Sequence, residues 1–346
     1  MLAYVYDHDG KLALKDVPRP RAREGSAVIK VHACSICGTD FRTYVHGSKK
    51  IAPPRVIGHE VNGTIVETGK GVAGFSVGER VAVAPAIGCG SCYPCRRGHP
   101  NMCDNLETIG FQFDGGFAEY MEIPAKAFKA GNVNKLGTAI EDEEAALAEP
   151  IACVINAHGF LNVKKGDCVA IFGSGFIGCM HAELALKNGA DRVIMIEPAK
   201  NRADAAMKLL SGVVMLDPAG IDILDEIKRH TDNRGVDIAI TACSAGKAQE
   251  DALRIAAKRG KISLFGGIAG DAKGFLDSNE IHYKELSVFG VHASTPLQNR
   301  TALEWISNGS LKVKKYITAV YPLDRITEAF EAIKSENIMK AIIKPA

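Results

Sequence analysis

Four of the chain's ten cysteines lie in the run CGSCYPCRRGHPNMC, as Cys89, Cys92, Cys95 and Cys103. Their spacing, C-x2-C-x2-C-x7-C, lets one short loop turn four thiolates toward a single tetrahedral ion. Zinc suits such a set because it accepts four sulfurs and has no redox chemistry of its own. Four thiolates also fill the coordination sphere, so this ion would hold a loop together and leave no position for a substrate. Any catalysis must sit elsewhere.

A sparser set offers that chemistry: Cys37 in CGTD, His59 and Glu60 in GHE, and Glu149 in AEP. Taken singly, these residues read as a core thiol, a satisfied histidine and ordinary carboxylates. Only the fold can unite them. A third motif is VAIFGSGFIG, where an apolar strand runs into Gly173, Gly175 and Gly178 in the pattern G-x-G-x-x-G, with Phe176 and Ile177 opening a helix. The first glycine permits a tight turn, the second lets a diphosphate approach the backbone, and the third lets helix and strand pack closely. The free N–H groups of the helix start then face the diphosphate. Glu197 follows 19 residues beyond Gly178 at the end of the next strand, RVIMIE. A carboxylate there accepts hydrogen bonds from ribose hydroxyls and repels a 2′-phosphate, which favours NAD over NADP.

The elements that must position these groups fall into two patterns. Short β-branched runs separated by glycine turns (SAVIKVHAC, NGTIVETGKGV, GERVAVA, FAEYMEI) predict a mainly antiparallel β region between about 26 and 123. From Cys168 onward, apolar strands CVAIFG, RVIMIE, VVML, VDIAITAC, KISLFG and LSVFGV alternate with helical segments such as FIGCMHAELALKNG and GKAQEDALRIAAKRG. That alternation predicts an open parallel sheet with helices on both faces. After His292 a helix, a strand, a second helix and a terminal strand AIIKP read as a return to the first region. The expected organisation is a two-domain α/β chain, with a catalytic zinc domain over 1–150 and 292–346 and a Rossmann NAD-binding domain over 151–291. A length of 346 residues accommodates two such cores.

Charge narrows the partners. A formal net charge of +2 carries no electrostatic footprint for nucleic acid or an anionic membrane. The amino terminus, MLAYVYDHDGKLALKD, lacks a secretory pattern, and no apolar run approaches membrane-spanning length. A cytoplasmic protein acting on small molecules is expected. In a reducing compartment, closely spaced cysteines hold metal more often than disulfides. Cys34, Cys153, Cys168, Cys179 and Cys243 have no metal spacing and read as packing residues.

In order and spacing, these runs resemble the zinc-dependent medium-chain dehydrogenases along essentially the whole chain. CGTD, GHE and AEP carry the resemblance together with GTIVETGKGVAGFSVGERV, the cysteine lobe, GGFAEY and GSGFIG. Glu149–Pro150 stands where other alcohol dehydrogenases of the family have a third cysteine ligand. With IHYKEL at 281–286, this makes the chain most similar to the polyol branch, the L-iditol (sorbitol) 2-dehydrogenases. The resemblance implies a small-co-chaperonin-like β barrel in the catalytic domain and two zinc ions per chain, one structural at the four cysteines and one catalytic. Cys37 and His59 are implied ligands of the catalytic ion. Glu60 and Glu149 compete for the third position, and the sequence does not rank them. Asp40 would orient His59, and Arg202 would stand near the adenosine ribose, which slightly weakens the preference for NAD.

The implied reaction oxidises a secondary alcohol of a polyol to a ketose, with hydride transferred to NAD. Zinc with an open position acidifies a substrate hydroxyl. Thr39 is implied to take the proton and pass it through the cofactor ribose. Many relatives continue that relay with a histidine at the position that here is Arg42, which stays charged and cannot shuttle protons. Arg42, Lys49 and Lys50 read as a solvated basic rim or, alternatively, as a site for an anionic substrate such as a polyol phosphate. Other readings are a threonine dehydrogenase and, outside enzymes, a zinc- and nucleotide-binding redox sensor. The strand LSVFGV could pair across a two-fold axis as in relatives, giving a homodimer or homotetramer.

Overall fold

The computed structural model describes residues 1–268, 273–335 and 338–345. The chain divides into two compact units, one formed by Met1–Ala152 with Ala293–Ala346 and the other by Cys153–His292.

The first unit is organised around the strand Ala27–Ser35, whose Val28, Ile29, Val31 and Cys34 are buried. β-Branched residues on a strand covered on both faces give such a nearly continuous apolar run. Across its sheet the strand order is Val133–Lys135, Arg80–Val83, Glu60–Thr68, Ala27–Ser35, Lys340–Lys344 and Ile317–Pro322, with Tyr120–Ile123 also paired to Ala27–Ser35. The strands matching SAVIKVHAC, NGTIVETGKGV, GERVAVA and FAEYMEI pair antiparallel, as the sequence predicts. Ile317–Pro322 differs, lying parallel to Lys340–Lys344. The helix Ile326–Ser335 between them supplies the crossover that a parallel pair requires.

Two register facts position the chemistry. Ser35 lies opposite Glu60 on one side and opposite Ile342 on the other. The ends of three strands from distant parts of the sequence therefore meet beside Cys37, which caps the helix Gly38–His46.

The run GGFAEY has a packing role at the same place. Gly58, immediately before His59, has φ of +97°, and a Cβ there would lie 2.9 Å from both Cys34 Sγ and the Phe117 ring. The N–H groups of Gly115, Gly116 and Phe117 donate to the carbonyls of Val56, Gly58 and Ile57 at 2.8, 2.8 and 3.0 Å. The two runs fit together because the glycines leave no side chains between the backbones.

The second unit holds an all-parallel sheet in the order Val213–Leu216, Arg192–Ile196, Cys168–Phe172, Val236–Thr241, Ala256–Leu264 and Ser287–Gly290. The order in which strands are added reverses between Cys168–Phe172 and Val236–Thr241, the switch point at which open α/β sheets bind ligands. One boundary departs from the sequence reading. GKAQEDALRIAAKRG was expected to be helical throughout, but the helix Gly246–Ile255 gives way to a strand at Ala256, opposite Val236. No local breaker marks that end. Lys284 Nζ marks it instead, donating to the carbonyls of Leu253 and Arg254 at 3.3 and 3.0 Å, so a residue distant in sequence satisfies the terminal carbonyls.

No helix among the described residues is long and apolar enough to cross a membrane.

Candidate metal centres and nucleotide turn

The four lobe cysteines converge. Sγ atoms of Cys89, Cys92, Cys95 and Cys103 all lie within 4.8 Å of one another, and all four thiols are free. Cys92 and Cys103 sulfurs are 3.7 Å apart, far beyond a disulfide. That separation matches the tetrahedral edge of about 3.8 Å implied by Zn–S bonds of about 2.3 Å. Backbone N–H groups of Cys89 and Asn105 donate to Cys103 Sγ at 3.2 and 3.3 Å, and that of Cys92 donates to Cys89 Sγ at 3.4 Å, arrangements that favour thiolates. The thiols titrate far apart: Cys89 falls to about 5 through bonds from Ser91 and the backbone, while burial and the Cys92 thiol push Cys95 up to about 12. A divalent cation would remove that conflict, so the donor set fits zinc.

The second cluster comprises Cys37, His59 and Glu60, whose donor atoms also lie within 4.8 Å of one another. Glu149 is outside that group, but its charge reaches both Glu60 and Lys340. Asp40 makes two contacts here. Its Oδ2 accepts the Cys37 N–H at 2.9 Å, and its Oδ1 lies 3.4 Å from His59 Nδ1. Burial pushes the pKa of His59 down, but the neighbouring Asp40 carboxylate and Cys37 sulfur outweigh it and raise it well above the usual value.

Glu60 is fully buried, and its two oxygens differ. Oε2 accepts from Ser35 Oγ and lies 2.6 Å from Lys340 Nζ, whereas Oε1 is buried with no hydrogen-bond partner among the described residues. A buried carboxylate oxygen is costly without a donor or a cation. Burial pushes the pKa of Glu60 up to about 7 despite the opposing Lys340 ammonium. One thiol, one imidazole and one carboxylate with an unused oxygen suit a zinc site with a position left open. Lys340 and Ser35 had not been anticipated. The available signal is a lysine at the head of the apolar run Ala341–Ile343.

Thr39 lies on the first turn after Cys37, and its Oγ1 accepts a hydrogen bond from Arg42 Nη2 at 2.9 Å. Lys49 and Lys50 do not join them, because they follow Gly47 at the other end of the helix.

In the second unit the glycine turn opens the helix Phe176–Lys187. Gly173 has φ of +104°, and a Cβ on Gly178 would stand 2.0 Å from the Gly173 carbonyl oxygen. Gly175 is different: its φ is −68°, and a Cβ there would meet nothing within 4 Å. Neither backbone strain nor chain packing requires glycine at that point, which leaves space for a ligand's approach at the start of the helix Phe176–Lys187. Phe176 is buried and Ile177 half-buried beside it. Glu197 fastens the turn, accepting from Ser174 N and Oγ at 2.9 and 3.1 Å and from Ala199 N at 3.0 Å. Those three bonds leave room for about one more on the carboxylate. Arg202 is exposed on the first turn of the next helix, Lys200–Leu209.

Comparison with known proteins agrees with this construction. Residues 23–135 match the model of the alcohol dehydrogenase GroES-like domain, and residues 177–308 match that of the zinc-binding dehydrogenases. The chain is 35% identical to the L-threonine 3-dehydrogenase of Pyrococcus abyssi, over 97% of this chain and 95% of that protein. It is 30% identical to the sorbitol dehydrogenase of Halalkalibacterium halodurans, over 97% and 96%. The structure of 2R,3R-butanediol dehydrogenase from Bacillus subtilis superimposes with a TM-score of 0.89 at 27% identity, covering 100% of this chain and 99% of that one. The chain belongs to the zinc-type medium-chain dehydrogenases, a family with polyol-oxidising members, and is an enzyme of the alcohol dehydrogenase type.

Proposed function

We propose that the protein oxidises a secondary alcohol of a polyol to the ketone, with hydride transferred to NAD. The observation that carries the proposal is the Cys37–His59–Glu60 cluster, in which a buried carboxylate oxygen has no hydrogen-bond partner among the described residues. Cys37, His59 and a carboxylate would hold the metal. Glu60 would supply the third ligand because Lys340 and Ser35 occupy only its other oxygen, with Glu149 as the alternative carboxylate. Zinc held there would lower the pKa of an alcohol hydroxyl toward neutrality, as it does for water.

The remaining roles belong to the chain. Asp40 fixes the His59 tautomer through Nδ1, which leaves Nε2 for the metal. Thr39 receives the alcohol proton, and the N–H it accepts from Arg42 leaves its own hydrogen free to point elsewhere. Arg42 carries no proton onward because it stays charged. In the nucleotide unit the backbone at Gly175 and the helix start hold the diphosphate, and the remaining acceptor site of Glu197 favours the ribose of NAD over that of NADP. Cys89, Cys92, Cys95 and Cys103 would hold a second ion that ties their loop together, outside the reaction.

A second substrate reading, threonine, is favoured by the similarity to L-threonine 3-dehydrogenases. Both readings are tested by following nicotinamide reduction with zinc-replete protein, NAD or NADP, and a panel of free polyols, polyol phosphates, threonine and simple alcohols. Selective turnover of a polyol with NAD is expected. Preference for threonine would select the second reading. Silence across the panel with both zinc sites filled would contradict both and favour a zinc- and nucleotide-binding sensor.

A further inference from the structure

Helical side chains lean back toward the start of their helix, and Arg42 does so on Gly38–His46. Its Nη2 is tied to Thr39 Oγ1 at 2.9 Å. Its Nη1 stands 4.0 Å from where a Cβ on Gly38 would sit. Apart from chain neighbours and the helix's own backbone, no other described atom comes that near. The guanidinium therefore lies over the two residues that follow Cys37, and the side chain is exposed.

Charge accounting separates Arg42 from its surroundings. Asp40 is matched by His59 and the Cys37 N–H, and Glu60 is matched by Lys340. Arg42 is exposed and makes no ion pair with a carboxylate among the described residues. Its guanidinium leans back to the first turn of the helix, whereas Lys49 and Lys50 follow Gly47 beyond the other end. A single oriented guanidinium, fixed by a hydroxyl that is itself proposed to touch substrate, is suited to a planar or tetrahedral oxyanion through paired N–H donors.

We infer that Arg42 recognises an anionic group, phosphate or carboxylate, carried by the alcohol substrate near its reacting carbon. This inference rests on the proposal that the alcohol reacts at the Cys37–His59–Glu60 cluster. It narrows the substrate class from neutral polyols to polyols and hydroxy acids bearing an oxyanion.

The test uses the zinc-loaded full chain with NAD and three probes: D-glucitol, D-glucitol 6-phosphate and L-threonine. Wild-type protein should show a kcat/KM at least about tenfold higher on one of the charged probes than on D-glucitol, and the charged probe preferred identifies phosphate or carboxylate. Losing a charge-assisted hydrogen bond, Arg42→Gln should lower kcat/KM for that probe by about 10- to 100-fold, mainly through KM, whereas D-glucitol, which loses only the support that Arg42 gives Thr39, should fall by a clearly smaller factor. Arg42→Lys should restore part of the loss, since it keeps the charge without the fork. An equal fall on charged and neutral probes, carried by kcat, would show that Arg42 acts only by orienting Thr39 and would overturn the inference.

A second measurement does not depend on turnover. Inorganic phosphate should bind zinc-loaded Arg42→Gln at least about tenfold more weakly than wild type by calorimetry, and equal binding would overturn the inference. If no alcohol reacts but phosphate affinity still depends on Arg42, the failure falls on the proposed oxidation and not on the anion site.

Discussion

The ammonium of Lys340 lies 2.6 Å from the Glu60 carboxylate, with only 6% and 0% of their side chains exposed. Lys340 Nζ also donates to the Ile36 carbonyl at 3.0 Å, so the pair joins the terminal strand to the chain just before Cys37. Removing one partner of such a pair leaves an uncompensated buried charge. Lys340→Ala should therefore lose about 3–5 kcal/mol of stability in denaturant unfolding of the metal-free protein. Lys340→Met combined with Glu60→Gln should be less destabilised than the single variant. Additive losses would show that the two side chains are not coupled.

In the nucleotide unit His158 and His181 stack at 5.4 Å, and His181 also meets the Phe265 ring edge-on at 4.7 Å. Both ring nitrogens of His181 and Nε2 of His158 lack hydrogen-bond partners among the described residues. Burial lowers the pKa of His158 to about 4 and that of His181 well below its ordinary value, with the neighbouring His158 adding to the latter. Because the folded pKa lies below the unfolded one, the unfolded state binds protons first. Stability is full above about pH 6.5 and falls as the pH drops toward 4, by about 3 kcal/mol from His158 alone. Chemical denaturation at several pH values should show this slope, and His158→Phe should flatten it. A variant that keeps the wild-type slope would remove His158 as its source.

Glu197→Gln tests the cofactor preference. It keeps a hydrogen-bond acceptor beside Ser174 but removes the negative charge that would face a 2′-phosphate. The ratio of kcat/KM for NAD to that for NADP should fall by about tenfold or more. An unchanged ratio would mean that discrimination lies elsewhere.

Thr39→Val replaces the hydroxyl with a methyl group of similar shape. If Thr39 takes the proton, turnover should drop by about 10²- to 10⁴-fold while zinc content stays constant. Near-normal turnover would exclude Thr39 from the proton path.

Much of this was legible in the sequence because the motifs are local. The cysteine lobe and the turn at Gly173–Gly178 each lie within one short run, and spacing alone implies their geometry. The second cluster was legible only by resemblance, because strand register rather than sequence proximity brings Cys37 to His59 and Glu60. Lys340 and Ser35 escaped notice for the same reason: each reaches Glu60 through cross-strand neighbours that no periodicity encodes. Likewise, the end of the helix Gly246–Ile255 depends on Lys284, about thirty residues later, so a local reading ran the helix too far. His158 and His181 gave no signal because buried histidines on separate helices look like any others until packed.

Zinc content measured alongside NAD reduction tests most directly the proposal that Cys37, His59 and Glu60 hold a catalytic zinc and the four lobe cysteines a structural one. Wild type should carry two zinc ions per chain and turn over an alcohol. Cys37→Ser should carry one and be inactive while keeping its assembly, whereas Cys103→Ala should lose the other zinc and aggregate or dissociate. Full turnover by Cys37→Ser, or an unchanged assembly and melting temperature for Cys103→Ala, would contradict the account.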